Sequence, residues 1–349
     1  MGSTCQGNHQ LKDTETCSKA QLLAILERCF LRLGSALWCA ECDFGVKRRI
    51  MRVLIYGAGV IGSLYAVLFS EAGVDTSVYA RGLRLEALQR NGLRYEKNGA
   101  VCTANVCVLD ILRPNDIYDF IFLTVRENQL HEALAQLREN QSPYIATMVN
   151  SIEDYGIWEQ LCGDGRILPA FPGAGGGFED GVLHAALTPS FIQPTTFGIL
   201  TPEQQPQAQR LKKLFRRAHI PYQQVRDMHA WQLCHLGMVV PIADAYYEAD
   251  DPANAGTDRL VMDHTAKALR ENFRTLAHNG VHLSPAKMQI FRFLPLPVLR
   301  LALKITFQSR FGDVFMYRHA IKAPNEMRQL HEQFYAYLSK IQNRNDCSL

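Results

Sequence analysis

The sequence predicts an α/β protein, a Rossmann-type doubly wound parallel sheet followed by a second, all-helical domain. Three observations predict it. A short apolar run, Val53-Leu54-Ile55-Tyr56, leads directly into Gly57-Ala58-Gly59-Val60-Ile61-Gly62 and then into apolar residues at helical spacing. From Arg52 onward strand-like and helix-like stretches alternate, which is the pattern of a parallel sheet covered on both faces. After about Tyr222 the strand-like runs give way to long stretches of helical periodicity. The division is then 1–50 as an N-terminal extension of unknown role, 51–224 as the Rossmann domain and 225–349 as the helical domain.

The extension does not continue into the pattern that follows. It holds a candidate helix from Ala20 to Leu37 and a basic junction, Lys47-Arg48-Arg49, just before Met51, which is an expected alternative start of the chain. Beyond it, Val53 to Tyr56 is the first strand, and Ile61 to Ala72 is a helix closed by Gly73. Thr76 to Tyr79 is the second strand, and its helix ends at Asn91-Gly92. Leu93 to Val108 reads as a hairpin turning at Asn98-Gly99. Phe120 to Val125 and Tyr144 to Val149 are buried strands separated by a helix around Gln129 to Leu137, and Ile167 to Phe171 is the next strand. The run from Pro172 through Gly177 is too rich in glycine for an element interior, so it reads as a loop, either closing over a ligand or simply turning before a strand from Val182 to Ala186. His229 to Tyr247, Arg259 to Asn279 and Asn325 to Lys340 fit helices, and Leu294-Pro295-Leu296-Pro297 breaks two others apart.

Bulk properties narrow the function. With 349 residues, 47% hydrophobic and 20% charged, the chain is an ordinary globular one with room for two domains. Its 37 basic and 34 acidic residues leave a net charge of +3, which gives no reason to expect a nucleic acid or an anionic membrane as partner. The apolar stretches Leu22 to Ala40 and Phe293 to Phe307 are interrupted by charges and read as neither signal peptide nor membrane span. The expectation is a soluble, cytoplasmic protein taking a small molecule. Five of the ten cysteines lie in the first fifty residues and read as free thiols; Cys39 and Cys42 have half a zinc site's spacing, but no second pair follows, so no metal is expected.

The glycine motif carries the chemistry. Gly57 permits the tight turn, Gly59 lets the backbone approach a pyrophosphate, and Gly62 lets helix pack closely on strand. Ala58, Val60 and Ile61 complete the turn, and the helix start offers free N–H groups to phosphate. An acidic residue at the end of the second strand would select NAD; here the sequence is Tyr79-Ala80-Arg81-Gly82. Arg81 can pair with a 2′-phosphate, so the expected cofactor is NADP(H), unless Arg81 is merely a solvated loop residue.

The stretch from Arg52 to Gly92, with its glycine turn and Tyr79-Ala80-Arg81 strand end, resembles the ketopantoate reductase (2-dehydropantoate 2-reductase) family. Thr124-Val125-Arg126-Glu127-Asn128-Gln129 is similar to the family segment that places a lysine and a glutamine at the cofactor, so the resemblance gives those roles to Arg126 and Gln129. Met148-Val149-Asn150-Ser151 matches the strand end with the active-site asparagine, Asn150, although Ser151 replaces a glycine. The resemblance implies hydride transfer from NADPH to a 2-oxo acid between the two domains, the second being like the C-terminal helical domain of 6-phosphogluconate dehydrogenase.

The helical half departs from that pattern. The family's acid is a lysine two residues after a tryptophan, and in Trp231-Gln232-Leu233-Cys234-His235 that place is Leu233. Gly237 and Val240 or Pro241 fall where the family has substrate asparagines. His235 is the nearest replacement acid, or a hydrogen-bonded packing residue about 200° around the helix from Leu233. Glu326 resembles the family's C-terminal substrate-binding glutamate, or else stabilises a helix start behind Pro324. Three functions stay open: an NADP(H)-dependent oxidoreductase of a small carbonyl compound with Asn150, His235 and Glu326 at its site; an NADP(H)-binding protein without catalysis; and a module whose helical half mainly forms a homodimer.

Overall fold

The computed structural model describes residues 51–322 and 324–346. The helix expected over 20–37 and the Cys39–Cys42 pair lie outside them.

β1 (Arg52–Tyr56) is a buried central strand. Gly59, in extended conformation, caps α1 (Val60–Glu71), which ends where Gly73 takes a positive φ of 68°. β2 (Asp75–Tyr79) and α2 (Gly82–Asn91) complete the first βαβα unit. The hairpin of β3 (Leu93–Lys97) and β4 (Ala100–Ala104) turns at Asn98 and Gly99, both at positive φ, as a two-residue type I′ turn requires. β5 (Cys107–Leu109) then returns to the main sheet beside β2. β6 (Phe120–Leu123), a single helical turn (Glu127–Gln129), α3 (Leu130–Leu137), β7 (Ile145–Met148), α4 (Tyr155–Cys162) and β8 (Ile167–Phe171) follow.

The glycine-rich run is not a loop. It forms β9 (Ala174–Glu179), an antiparallel hairpin partner of β10 (Val182–Leu187). A Cβ on Gly176 would sit 2.3 Å from the His184 carbonyl oxygen, and one on Gly173 would sit 2.5 Å from that of Gln193. Glycine is there for close backbone approach rather than for mobility, a role that composition alone does not distinguish from a turn. The two hairpins join through β10 and β3 into a four-stranded sheet whose Leu93 and Leu183 pack into the same core as α1.

The main sheet has eight strands, ordered β12-β11-β8-β7-β6-β1-β2-β5. Six run parallel, but β11 (Thr195–Phe197) is antiparallel to β8 because the chain returns through the hairpin instead of a crossover helix. α5 (Gln205–Arg217) then supplies a crossover, and β12 (Tyr222–Gln224) pairs parallel to β11.

The described regular elements after β12 are all helical, the α-helices being α6 (Met228–Glu248), α7 (Arg259–His278), the short α8 (Ile290–Phe293), α9 (Leu296–Phe307), α10 (Arg318–Lys322) and α11 (Pro324–Asp346). Asp227 and Asp258 cap α6 and α7 by accepting from backbone N–H groups of the first turn. Pro241 lies inside α6 and has no N–H for the Gly237 carbonyl four residues back. The buried Asn272 of α7 donates to that carbonyl instead, at 3.1 Å. No helix among the described residues is long and apolar enough to cross a membrane.

Candidate active site

The glycine turn lies at the C-terminal end of β1, in the middle of the sheet. Gly57 has φ +118°, its N–H donates to the Tyr79 carbonyl at 3.2 Å, and a Cβ there would meet the Thr124 backbone at 3.0 Å. At Gly62 a Cβ would lie 2.0 Å from the Gly57 carbonyl oxygen and 2.4 Å from Thr124 Oγ1, so helix and strand could not close on any larger residue. Gly59 is the opposite case, with nothing within 4 Å of its Cβ position. Two glycines are filled against and the middle one faces open space, at the helix N-terminus where a phosphate would be stabilised. Thr124 holds the turn by donating to the Gly57 carbonyl at 2.7 Å.

Arg81 stands exposed at the end of β2, but a carboxylate reaches it from another element. Its NH1 lies 2.9 Å from Glu132 Oε1 on α3, which also accepts from Gln136 Nε2 at 2.9 Å. Gln136 in turn accepts from the Tyr56 hydroxyl, and the Tyr56 ring stacks on Tyr79 at 4.5 Å. Glu132 is 51 residues from Arg81 in sequence, too far for local spacing to signal the pair. A second arginine also meets the turn. Arg84 donates from Nε to the Ala58 carbonyl at 2.9 Å and from NH2 to Ser63 Oγ at 3.2 Å.

Arg126 precedes the helical turn after β6 and Gln129 ends it, and both are exposed. Between them Glu127 accepts from Gln329 and, at 3.0 Å, from Gln333 of α11. Glu326, Gln329 and Gln333 are spaced to share one face of that helix, so the face carrying Glu326 is the one turned to the loop of Arg126 and Gln129.

Asn150 follows the end of β7 and is half-buried, with Oδ1 shielded from water and without a hydrogen-bond partner. The helical half docks beside it: Gln232 of α6, buried, donates to the Val149 carbonyl at 3.1 Å and accepts from the Tyr155 hydroxyl at 2.8 Å. One turn along the same helix, His235 is 8% exposed, stacked on Trp231 at 5.3 Å and 4.3 Å from the Phe171 ring. Asn150 and His235 are therefore both brought to the strand ends of β7 and β8, whereas Glu326 is placed near the loop after β6.

Residues 53–198 match the family model described as ketopantoate reductase PanE/ApbA. Over this stretch, less than half of its length, the chain is similar to ketopantoate reductases. Two curated relatives are similar, a 2-dehydropantoate 2-reductase of Mesorhizobium japonicum, 33% identical over 105 residues, and one of Archaeoglobus fulgidus, 30% identical over 118 residues. These matches take in 29% and 33% of this chain and 32% and 37% of the relatives, so the similar stretch spans about a third of their length. In fold the likeness is longer. The chain is similar to a D-mandelate dehydrogenase solved with NADH and anilino(oxo)acetate, with a TM-score of 0.59 and 14% identity, covering 84% of this chain and 99% of that one.

Leu233, to which the sequence resemblance assigns the family's lysine place, is 1% exposed and packed in the core of the helical domain. A Cβ on Gly237 would meet Leu276, Phe334 and Phe273 at 3.4 to 3.8 Å, so this face of α6 is turned into the bundle. Trp231, Gln232 and His235 are among the side chains that α6 turns to the Rossmann half, with His229 at 3.1 Å from the Ile152 carbonyl beside them.

Proposed function

We propose that the chain is an NADP(H)-dependent oxidoreductase that reduces a small 2-oxo acid or related carbonyl compound. The observation that carries this is the glycine turn, where Gly59 alone faces open space at the start of α1 while Gly57 and Gly62 are closed against Thr124 and Ile55. Bound NADPH supplies the hydride. The N–H groups at the start of α1 hold the pyrophosphate, Arg81 at the end of β2 marks the corner where the 2′-phosphate is received, and Arg126 and Gln129 line the cofactor from the loop after β6. The Asn150 Oδ1, buried without a hydrogen-bond partner, is a polar acceptor available to a ligand at the junction of the halves. His235, between Phe171 and Trp231, and Glu326, on the α11 face toward the Arg126 loop, are the candidate proton donor and substrate ligand. Calorimetric titration of the full chain with NADPH tests the reading: micromolar or tighter binding is expected, and no binding of either NADPH or NADH would refute it.

Leu233 favours a second reading, an NADP(H)-binding protein without catalysis. At 1% exposure in an apolar core it supplies neither proton nor charge to a developing alkoxide. The two readings share the cofactor site and separate on turnover.

A further inference from the structure

We propose that Arg84 is the principal reader of the 2′-phosphate, and that Glu132 holds Arg81 back from that role. The inference rests on the reading of the glycine turn as an NADP(H) site and assigns the charge that selects the phosphorylated cofactor.

Arg84 projects from the first turn of α2 back across the corner where the glycine turn and the end of β2 touch, the corner fixed by the hydrogen bond from Gly57 to Tyr79. Its guanidinium is half-buried, with Cζ 4.2 Å from the centroid of the Phe178 ring. Its hydrogen-bond partners, the Ala58 carbonyl and Ser63 hydroxyl, are both neutral. Among the described residues no carboxylate pairs with it, and burial lowers its pKa with no acidic neighbour to offset the effect. A cation drawn out of water without a counter-charge is unfavourable, and an arriving phosphate monoester relieves that cost.

Arg81 is in the opposite state. Glu132 already meets its charge at 2.9 Å and is itself held below the usual carboxylate range by that contact. A dianionic phosphate approaching Arg81 must displace Glu132 or sit beside a like charge. The net field for an anion at this corner therefore comes from Arg84. The pyrophosphate has the same chemistry, but it is present in both NADH and NADPH, so comparing the two separates the sources.

The test is calorimetric titration of the full-length chain and its variants with NADPH and NADH. Arg84→Gln is expected to weaken NADPH about ten- to hundred-fold and NADH less than about threefold. Arg81→Gln costs NADPH less, because it removes Glu132's partner together with the charge. Glu132→Gln, an exposed change that leaves the fold intact, tightens NADPH severalfold and leaves NADH unchanged. Equal weakening of both cofactors by Arg84→Gln, or no change in either, would overturn the proposal, as would a Glu132→Gln variant with unaltered NADPH affinity. If the unmodified chain bound neither cofactor, the parent reading of the turn would fall as well, an outcome distinct from binding with an unmoved preference.

Discussion

The three glycines of the turn have separable jobs, and single substitutions should separate them. Gly59 has an extended backbone and open space ahead of it, so Gly59→Val is expected to fold with stability within about 1 kcal/mol of the parent while losing NADPH binding, because the branched side chain fills the phosphate's place. Gly62→Ala is expected to do the reverse. Its methyl would overlap the Gly57 carbonyl at 2.0 Å, and overpacking of this kind costs about 1–3 kcal/mol or more, readable as a lower denaturant midpoint. The order of effects is the discriminating feature: a Gly59→Val chain that unfolded as readily as Gly62→Ala would contradict these roles. The glycines were legible in the sequence because each answers to local backbone geometry. Arg84 and Glu132 carry no such local signal, since their meaning depends on Ala58 and Arg81, which meet them only once α2 and α3 have packed.

At the level of elements, α6 shows both how the sequence informs and where it stops. Its helical period, and the mismatch of Leu233, Gly237 and Pro241 with the family's polar places, were readable from the chain alone. That this face turns into the bundle was not, because a mostly apolar helix offers no single polar stripe to orient it. Leu233→Lys is accordingly expected to destabilise by about 3 to 5 kcal/mol, the cost of an uncompensated buried charge, and not to create activity. Urea denaturation measures the first and NADPH oxidation the second; a stable, more active variant would show that the helix faces otherwise. Asn272→Leu should cost about 1 to 3 kcal/mol by leaving the buried Gly237 carbonyl without the donor that Pro241 cannot supply. The glycine-rich run into β9 marks the other limit: the residues that force glycine there, Gln193 against Gly173 and His184 and Ala185 against Gly176, come from later segments of the chain.

Among the described residues, the contacts that tie the Rossmann half to the helices include Gln232 on the end of β7 and Glu127 on α11. Both sit beside the strand ends from which a site between the halves would be built. The architecture could be read from the chain because alternating patterns and the glycine turn are repeated, redundant signals. The catalytic group could not, because proton donation depends on which side chains two separately patterned halves turn toward one another. Leu233 in the lysine place implies loss of a charge-assisted donor to the developing alkoxide, worth about 2.7 to 4 kcal/mol, or roughly a hundred- to thousand-fold in rate. Ketopantoate should therefore be turned over far below the ordinary range, on the order of 1 to 1,000 per second. A carbonyl compound carrying its own polar handle for His235 or Glu326 should do better. The decisive measurement is steady-state oxidation of NADPH by the full chain with ketopantoate beside a panel of 2-oxo acids, ketones and aldehydes. The account predicts slow or absent turnover of ketopantoate and measurable reduction of at least one other small carbonyl compound; no oxidation with any of them, in a chain that binds NADPH, would contradict it.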